Sequence, residues 1–295
     1  MRGRDISRYP IQWLFPVLLI VITFTVFPFG YAIYNSLFRI ILVLPTQPFV
    51  GLKNYAQVFT SVYFREALVN TLVFMAVTAP IIVVVSLGVG RLLLTQFVGR
   101  GILRAVVLLP WAIPGAISGI LWYWIFQEQW GILNTLLFKL HIITRGIEWL
   151  DSKNLAKFST MIAHIWTQIP FASVLLMAAL TTINKELYEA AEVDGAGPLR
   201  RLLHVTLPQV AGMMGVAFIY ELIMCLTTYD VTYSMTSGGP GGATTLLSYF
   251  IWAESFSQLN FGRGAALGVI VALITLALIM LILKAIPSGM TLEEE

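Results

Sequence analysis

Apolar residues fall into six long runs separated by short polar pieces. Residues 9–38, 69–90 and 105–126 carry no charged side chain, and 158–183 carry only His164. Residues 209–235 carry two acids, Glu221 and Asp230, and 264–283 are purely apolar. A hydrocarbon core of ~30 Å takes about 20 residues of helix, so each run is long enough to cross it. The runs are apolar all round, without the polar face of a surface helix. The pattern predicts an all-α integral membrane protein with six transmembrane helices in one membrane domain over 1–295. The spans are expected at about 9–38, 69–90, 105–126, 158–183, 209–235 and 264–283, with a polar connection over 184–208.

Composition sharpens that reading. Hydrophobic residues make up 58% of the chain and charged ones 11%, against about a quarter charged in soluble proteins. A water-soluble globular domain is excluded. The net charge of +3 is small and scattered, which leaves no basic patch for nucleic acid. Cys225 is the single cysteine, so an internal disulfide framework is impossible. His141, His164 and His204 share no metal-ligand spacing. No Walker A sequence, GxGxxG or HExxH occurs. No catalytic constellation, metal or cofactor is expected, and if ATP energises the chain another polypeptide must hydrolyse it.

Arg2, Arg4 and Arg8 before the first run imitate a signal peptide. The run is far longer than a cleavable apolar segment and no small-x-small site follows, so a retained helix is expected. With both termini inside, ten basic residues fall on cytoplasmic pieces and eight on the longer external ones. Basic density therefore favours this orientation by a modest margin. Proline punctuates the runs at Pro16, Pro28, Pro80, Pro110, Pro114 and Pro170. These are either ordinary kinks, whose freed backbone groups neighbouring helices satisfy, or hinges of an alternating-access movement; spacing alone leaves both open.

The polar connection is the exception in a chain that avoids charge. It carries Glu189, Glu192, Asp194, Arg200, Arg201 and His204. Residues 184–194 are good helix formers. Gly195 and Gly197 allow the positive φ that ends a helix, and Pro198 suits the first position of the next. Pro208 is expected to close this second element just before the fifth span. The outcome is a helix-turn-helix elbow along the membrane surface. On spacing alone it serves either to hold topology or to dock a partner.

Glu189, Ala190, Ala191, Asp194, Gly195, Ala196, Leu207 and Pro208 together resemble the EAA loop in permease subunits of binding-protein-dependent ABC importers. More of the chain is similar to the maltose-type first permease of a pair. Phe49, Gly51, Leu52, Asn54 and Tyr55 follow the first span. Pro110, Trp111 and Pro114 with Trp122 and Trp124 mark the third, and Trp166, Pro170 and Phe171 the fourth. Gly238, Gly239 and Pro240 sit in a T-x-G-G-P loop. The resemblance runs from about 10 to 285 and implies the type I ABC importer permease fold in the cell membrane. It also implies a second related permease, two ATPase subunits that bind the ATP, an external solute-binding protein and a sugar substrate. In the family the EAA loop docks in a cleft of the ATPase. Leu202 stands where the family usually has Phe, which implies a shifted fit. The Gly238, Gly239, Pro240 loop is either a flexible turn, a surface for the binding protein or a plug for the pore mouth.

Ionisable groups within spans point to a solute path, because an acid at mid-bilayer costs roughly 2.5–3.5 kcal/mol and is kept from lipid. Glu221 is expected near the centre of the fifth span and Asp230 nearer its outer end, with Tyr229 and Tyr233 alongside. Hydroxyls and carboxylates bind sugar hydroxyls, and aromatic faces stack on a pyranose. Trp166 and Gln168 are further candidates. Each of these also fits plain interhelical hydrogen bonding. A cationic solute such as a polyamine, or a polyol phosphate, remains an alternative to sugar. An ion-coupled secondary transporter using Glu221 as a proton site would leave the elbow without a purpose.

Overall fold

The computed structural model describes residues 14–285. Among these the chain is helical, with two isolated β-bridges in place of strands. Five helices are long and apolar enough to cross a membrane, and a bent pair makes six when counted as one span. The described residues form two compact units, 14–61 with 251–273, and 62–250 with 274–285.

The first unit holds α1 (Phe15–Ser36) and α2 (Lys53–Thr60), together with the start of α12 (Phe261–Ala285). Residues 9–13 of the expected first span lie outside the described residues. α1 ends where Asn54 reaches back: its amide donates to the carbonyls of Ser36 (2.8 Å) and Phe38 (2.9 Å). Tyr55 shares a 2.6 Å hydrogen bond with the Ser36 hydroxyl, and Gly51 takes φ +55°. These bonds occupy carbonyls left over at a helix end. The Gly51, Asn54, Tyr55 pattern is thus a cap for the first span.

The second unit is built on α3 (Val62–Leu94) and α7 (Lys153–Thr181), with α9 (Pro198–Thr227). Val83, Leu87, Leu176, Leu180, Val210 and Ala217 form a buried cluster between them. The α3–α7 approach is close: a β-carbon on Gly90 would lie 3.0 Å from the Ser173 carbonyl oxygen. The Ser86 hydroxyl crosses the same seam to donate to the Ile169 carbonyl at 3.1 Å.

Three expectations need correction. The third span is not one helix. α4 (Arg100–Ala112) and α5 (Gly115–Ile125) are bent by 103°. Proline disfavours helical backbone in the residue before it, and Ile113 is extended at φ −85°, ψ 126° ahead of Pro114. The fifth span stops at Thr227 instead of running to 235. Thr228 is extended at ψ 112°, and α10 (Asp230–Met235) starts anew. The carbonyl of Thr228, which would have continued the ladder, accepts the Ser248 hydroxyl instead.

Pro208 does not end the elbow either. Helix runs from Pro198 straight into the span, with a π-helical turn over Leu202–Thr206. The Leu207 N–H bonds five residues back, to the Leu202 carbonyl. Proline lacks the N–H and crowds the carbonyl four residues before it, and one widened turn absorbs both. The same device precedes Pro28, where Ile22–Val26 is π-helical and Phe27 bonds to Ile22. Pro80 and Pro170 sit inside continuous helices.

Candidate functional site

The elbow begins with α8 (Lys185–Val193), whose N-cap Asn184 accepts the Glu186 N–H at 3.0 Å. Its end explains the spacing of the Glu-Ala-Ala and Asp-Gly-Ala residues. Gly195 takes φ +72°, its N–H bonds the Glu192 carbonyl (3.0 Å), and the Ala196 N–H bonds the Ala191 carbonyl (2.8 Å). This pair of bonds around one left-handed residue is the Schellman motif, and it fixes Ala191 to Ala196 as a unit,. Gly197 has φ −66° and ψ 170°. It is extended and does not take the expected positive φ, because Pro198 follows it.

Two contacts bind α8 to the root of the fifth span. The Tyr188 hydroxyl meets the Thr206 hydroxyl at 3.0 Å, and Arg201 pairs with Glu192. Thr206 is buried, so the Tyr188 contact is the sheltered one. Outward, Glu189 and Ala190 are exposed, and so are the apolar Val193, Leu199 and Leu203. An apolar depression of about 450 Å³ lies among Pro198, Leu199, Leu203 and His204.

At the other end of α9 the broken third span opens a polar cavity of about 150 Å³. Trp111, Ile113 and Gly115 line it from the break, Thr167 and Gln168 from α7, and Thr228 and Asp230 from the α9–α10 junction. His164 forms its buried floor; its ring lies 3.5 Å from both the Thr228 hydroxyl and the Cys225 sulfur. Gly115 makes room for the acid: a β-carbon there would lie 1.7 Å from Asp230 Oδ2. A second glycine, Gly119, leaves the same space for Ser234 one turn on.

A family model described as "Binding-protein-dependent transport system inner membrane component" matches residues 82–287. The chain belongs to this family. The permease is therefore a multi-pass membrane component of an ABC importer. It is 34% identical over 275 residues to the sulfoquinovosyl glycerol transport permease SmoG of Agrobacterium fabrum, covering 92% of this chain and 88% of that one. It is equally identical over 271 residues to the trehalose/maltose permease MalF of Thermococcus litoralis, covering 92% and 91%. The sn-glycerol-3-phosphate permease UgpA of Yersinia pestis is 32% identical over 279 residues, covering 94% and 93%. The fold matches a chain of a bacterial ABC transporter that imports the acidic polysaccharide alginate, with TM-score 0.78 at 21% identity over 95% and 96% of the two chains.

Of the side chains singled out for solute, the permease brings Gln168 and Asp230 together in the cavity. Trp166 instead packs edge-on against Trp122, at 5.7 Å between ring centroids. Tyr229 and Tyr233 sit ring to ring at 5.7 Å outside the cavity lining. Glu221 faces no opening: it is 0% exposed, and neither carboxylate oxygen has a hydrogen-bond partner. A solute contact for Glu221 does not fit this arrangement, because α9 turns it into the interior. Trp111, Gly115 and Thr167 went unnoticed as cavity residues. The Pro114-Gly115 step was their signal, since it marks a place where backbone leaves the helix and side chains from both halves converge.

Gly238, Gly239 and Pro240 are tied down. Asn70 of α3 donates to the carbonyls of Gly242 (3.0 Å) and Thr245 (3.2 Å), and the Tyr249 hydroxyl donates to Ser237 O at 2.8 Å. Gly238 takes φ +79°, and a β-carbon there would lie 2.7 Å from the Tyr249 ring.

Proposed function

We propose that this permease forms one half of the pore of an ATP-driven carbohydrate importer. The observation that carries the reading is the continuity of α9. One uninterrupted helix joins the elbow, with its exposed apolar surface, to the cavity that holds Asp230 and Gln168. An ATPase docked on Glu189, Ala190, Ala191 and Leu202 would move the root of α9 as ATP closes the ATPase pair, and the cavity rim would move with it. ATP is bound and hydrolysed by that partner, and this chain holds no cofactor. The elbow and both termini then lie in the cytoplasm.

The cavity suits a polyhydroxy solute, with an acid and an amide to accept and donate, two threonine hydroxyls and the Trp111 ring. At about 150 Å³ it is smaller than the ~300–1,000 Å³ usual for a small-molecule site. A second, related permease facing this one would supply the rest. The names of the sulfoquinovosyl glycerol and trehalose/maltose relatives support a glycoside. The glycerol-3-phosphate relatives favour a polyol phosphate as the second reading, which the carboxylate of Asp230 opposes.

The test is uptake by the reconstituted transporter, given its binding protein and a panel of labelled sugars and polyol phosphates. Asp230→Asn and Gln168→Ala should raise the solute requirement without abolishing ATP hydrolysis. Unchanged solute dependence in both variants would remove the cavity from the transport path. Uptake by this chain alone, without an ATPase, would refute the importer mechanism.

A further inference from the structure

A second cavity lies apart from the polar site, among the first turns of α3, the first turns of α7 and the glycine-rich loop. α7 runs from there toward the elbow, so this cavity is at the opposite end of the helix. Its volume is about 350 Å³, and Arg65, Lys153 and Lys157 line it with a single acid, Glu66. Among the described residues no carboxylate lies within 4 Å of any of these three cations. Part of the wall is the bare backbone of Gly241 and Gly242, which Asn70 of α3 holds through the Gly242 carbonyl at 3.0 Å. Three cations against one acid leave an excess of positive charge, and like charges held together are unfavourable until an anion joins them.

Depth identifies the anion. The apolar runs of α3 and α7 begin at 69 and 158. At 1.5 Å per residue Arg65, Lys157 and Lys153 stand roughly 6, 2 and 8 Å beyond the hydrocarbon. Polar headgroups fill about 5–8 Å on each side of that core, so the three cations lie at headgroup level. Acyl chains have a place as well. Val69 lines the cavity and is itself exposed, and Leu72, Val73 and Val77 continue the exposed face of α3 below it. Residues three and four apart share a helix face, so this is one apolar strip with Arg65 at its head. Tyr63 is exposed beside Arg65, at the depth where aromatic side chains border a membrane,. A charged pocket that opens on an apolar strip fits a molecule charged at one end and apolar at the other. We propose that this cavity binds the phosphate of an anionic phospholipid, phosphatidylglycerol or its like, whose acyl chains lie along Val69, Leu72 and Val73. An acidic protein surface would match the charge but leave the strip uncovered.

The experiment uses the assembled transporter, purified in detergent and equilibrated with mixed micelles of phosphatidylglycerol or phosphatidylcholine. Native mass spectrometry counts the bound lipid. The wild type should hold a phosphatidylglycerol that phosphatidylcholine does not replace. The mole fraction of phosphatidylglycerol giving half occupancy should rise about fivefold in Arg65→Gln and in Lys157→Gln, and roughly twenty- to thirtyfold in the double variant. Val69→Asn keeps all three cations and should still weaken the lipid several-fold. Added salt should weaken binding to the wild type more than to the double variant. No preference for phosphatidylglycerol in the wild type, or equal binding by the wild type and the double variant, would overturn the proposal. Deacylated glycerophosphoglycerol should compete only at far higher concentration. Competition at the lipid's own concentration would reduce the cavity to a site for free phosphate esters and overturn the lipid assignment. Variants that keep their lipid but need more external binding protein to stimulate ATP hydrolysis would overturn it too, by assigning the cations to a protein contact. The lipid site does not depend on the importer reading, so its failure would leave that reading standing.

Discussion

A β-carbon on Gly115 would lie 1.7 Å from Oδ2 of Asp230, across the break in the third span. The acid is short and sits at the first residue of α10, so it has no long stem with which to swing aside. Gly115→Ala is expected to displace the carboxylate from the cavity while leaving the chain folded and assembled. Losing a hydrogen bond to a charged group costs about 1.5–3 kcal/mol, or roughly ten- to a hundredfold in solute affinity. Solute-dependent uptake should fall by that factor, and the double variant Gly115→Ala with Asp230→Gly should recover none of the affinity. Wild-type uptake by Gly115→Ala would mean that the carboxylate has no part in the site.

How much of this was legible in the sequence depended on the range of the cause. The spans were readable because the bilayer forces long apolar runs, and the elbow because Gly195 and Pro198 are local stops. The break at Pro114 was visible as a residue but not as a 103° bend. Pro80 and Pro170 lie within continuous helices, whereas Ile113 ahead of Pro114 is extended and ends the helix there. The early end of α9 was invisible: it depends on the Ser248 hydroxyl meeting a carbonyl twenty residues away. Charge alone suggested Glu221 as a solute contact, but periodicity in an all-apolar helix does not tell the interior face from the open one.

Gly195 at φ +72° is the pivot of the elbow. A left-handed backbone costs a non-glycine residue roughly 1–2 kcal/mol, and a β-branched one more. Gly195→Val should therefore misdirect α8 without disturbing the spans. The expected outcome is ATP hydrolysis that no longer drives uptake. Measuring both rates in the same proteoliposomes separates this from misassembly, in which hydrolysis would lose its response to binding protein altogether. Gly197→Ala, at an extended φ of −66°, should be tolerated.

The Tyr188–Thr206 contact joins α8 to the buried start of the fifth span at 3.0 Å. A neutral hydrogen bond contributes about 1 kcal/mol. Tyr188→Phe and Thr206→Val should each reduce the transport-to-hydrolysis ratio several-fold, and the double variant should do no worse than either single one. Additive losses would show that the two residues act separately. The Glu192–Arg201 pair lies at the surface, and its removal should have little effect at physiological salt.

Glu221 gives the sharpest contrast between the readings of this chain. It is fully enclosed, with both carboxylate oxygens unpartnered, and a buried polar group in that state costs about 1–3 kcal/mol. Glu221→Leu removes the unpartnered group while keeping most of its volume, so the purified complex should melt at a higher temperature. Because the side chain reaches no cavity, the solute concentration for half-maximal uptake should stay where it is. A raised requirement for solute in Glu221→Leu would mean that α9 rotates during transport and brings Glu221 to the path. A lowered melting temperature would mean that the enclosed carboxyl is hydrogen-bonded within the chain.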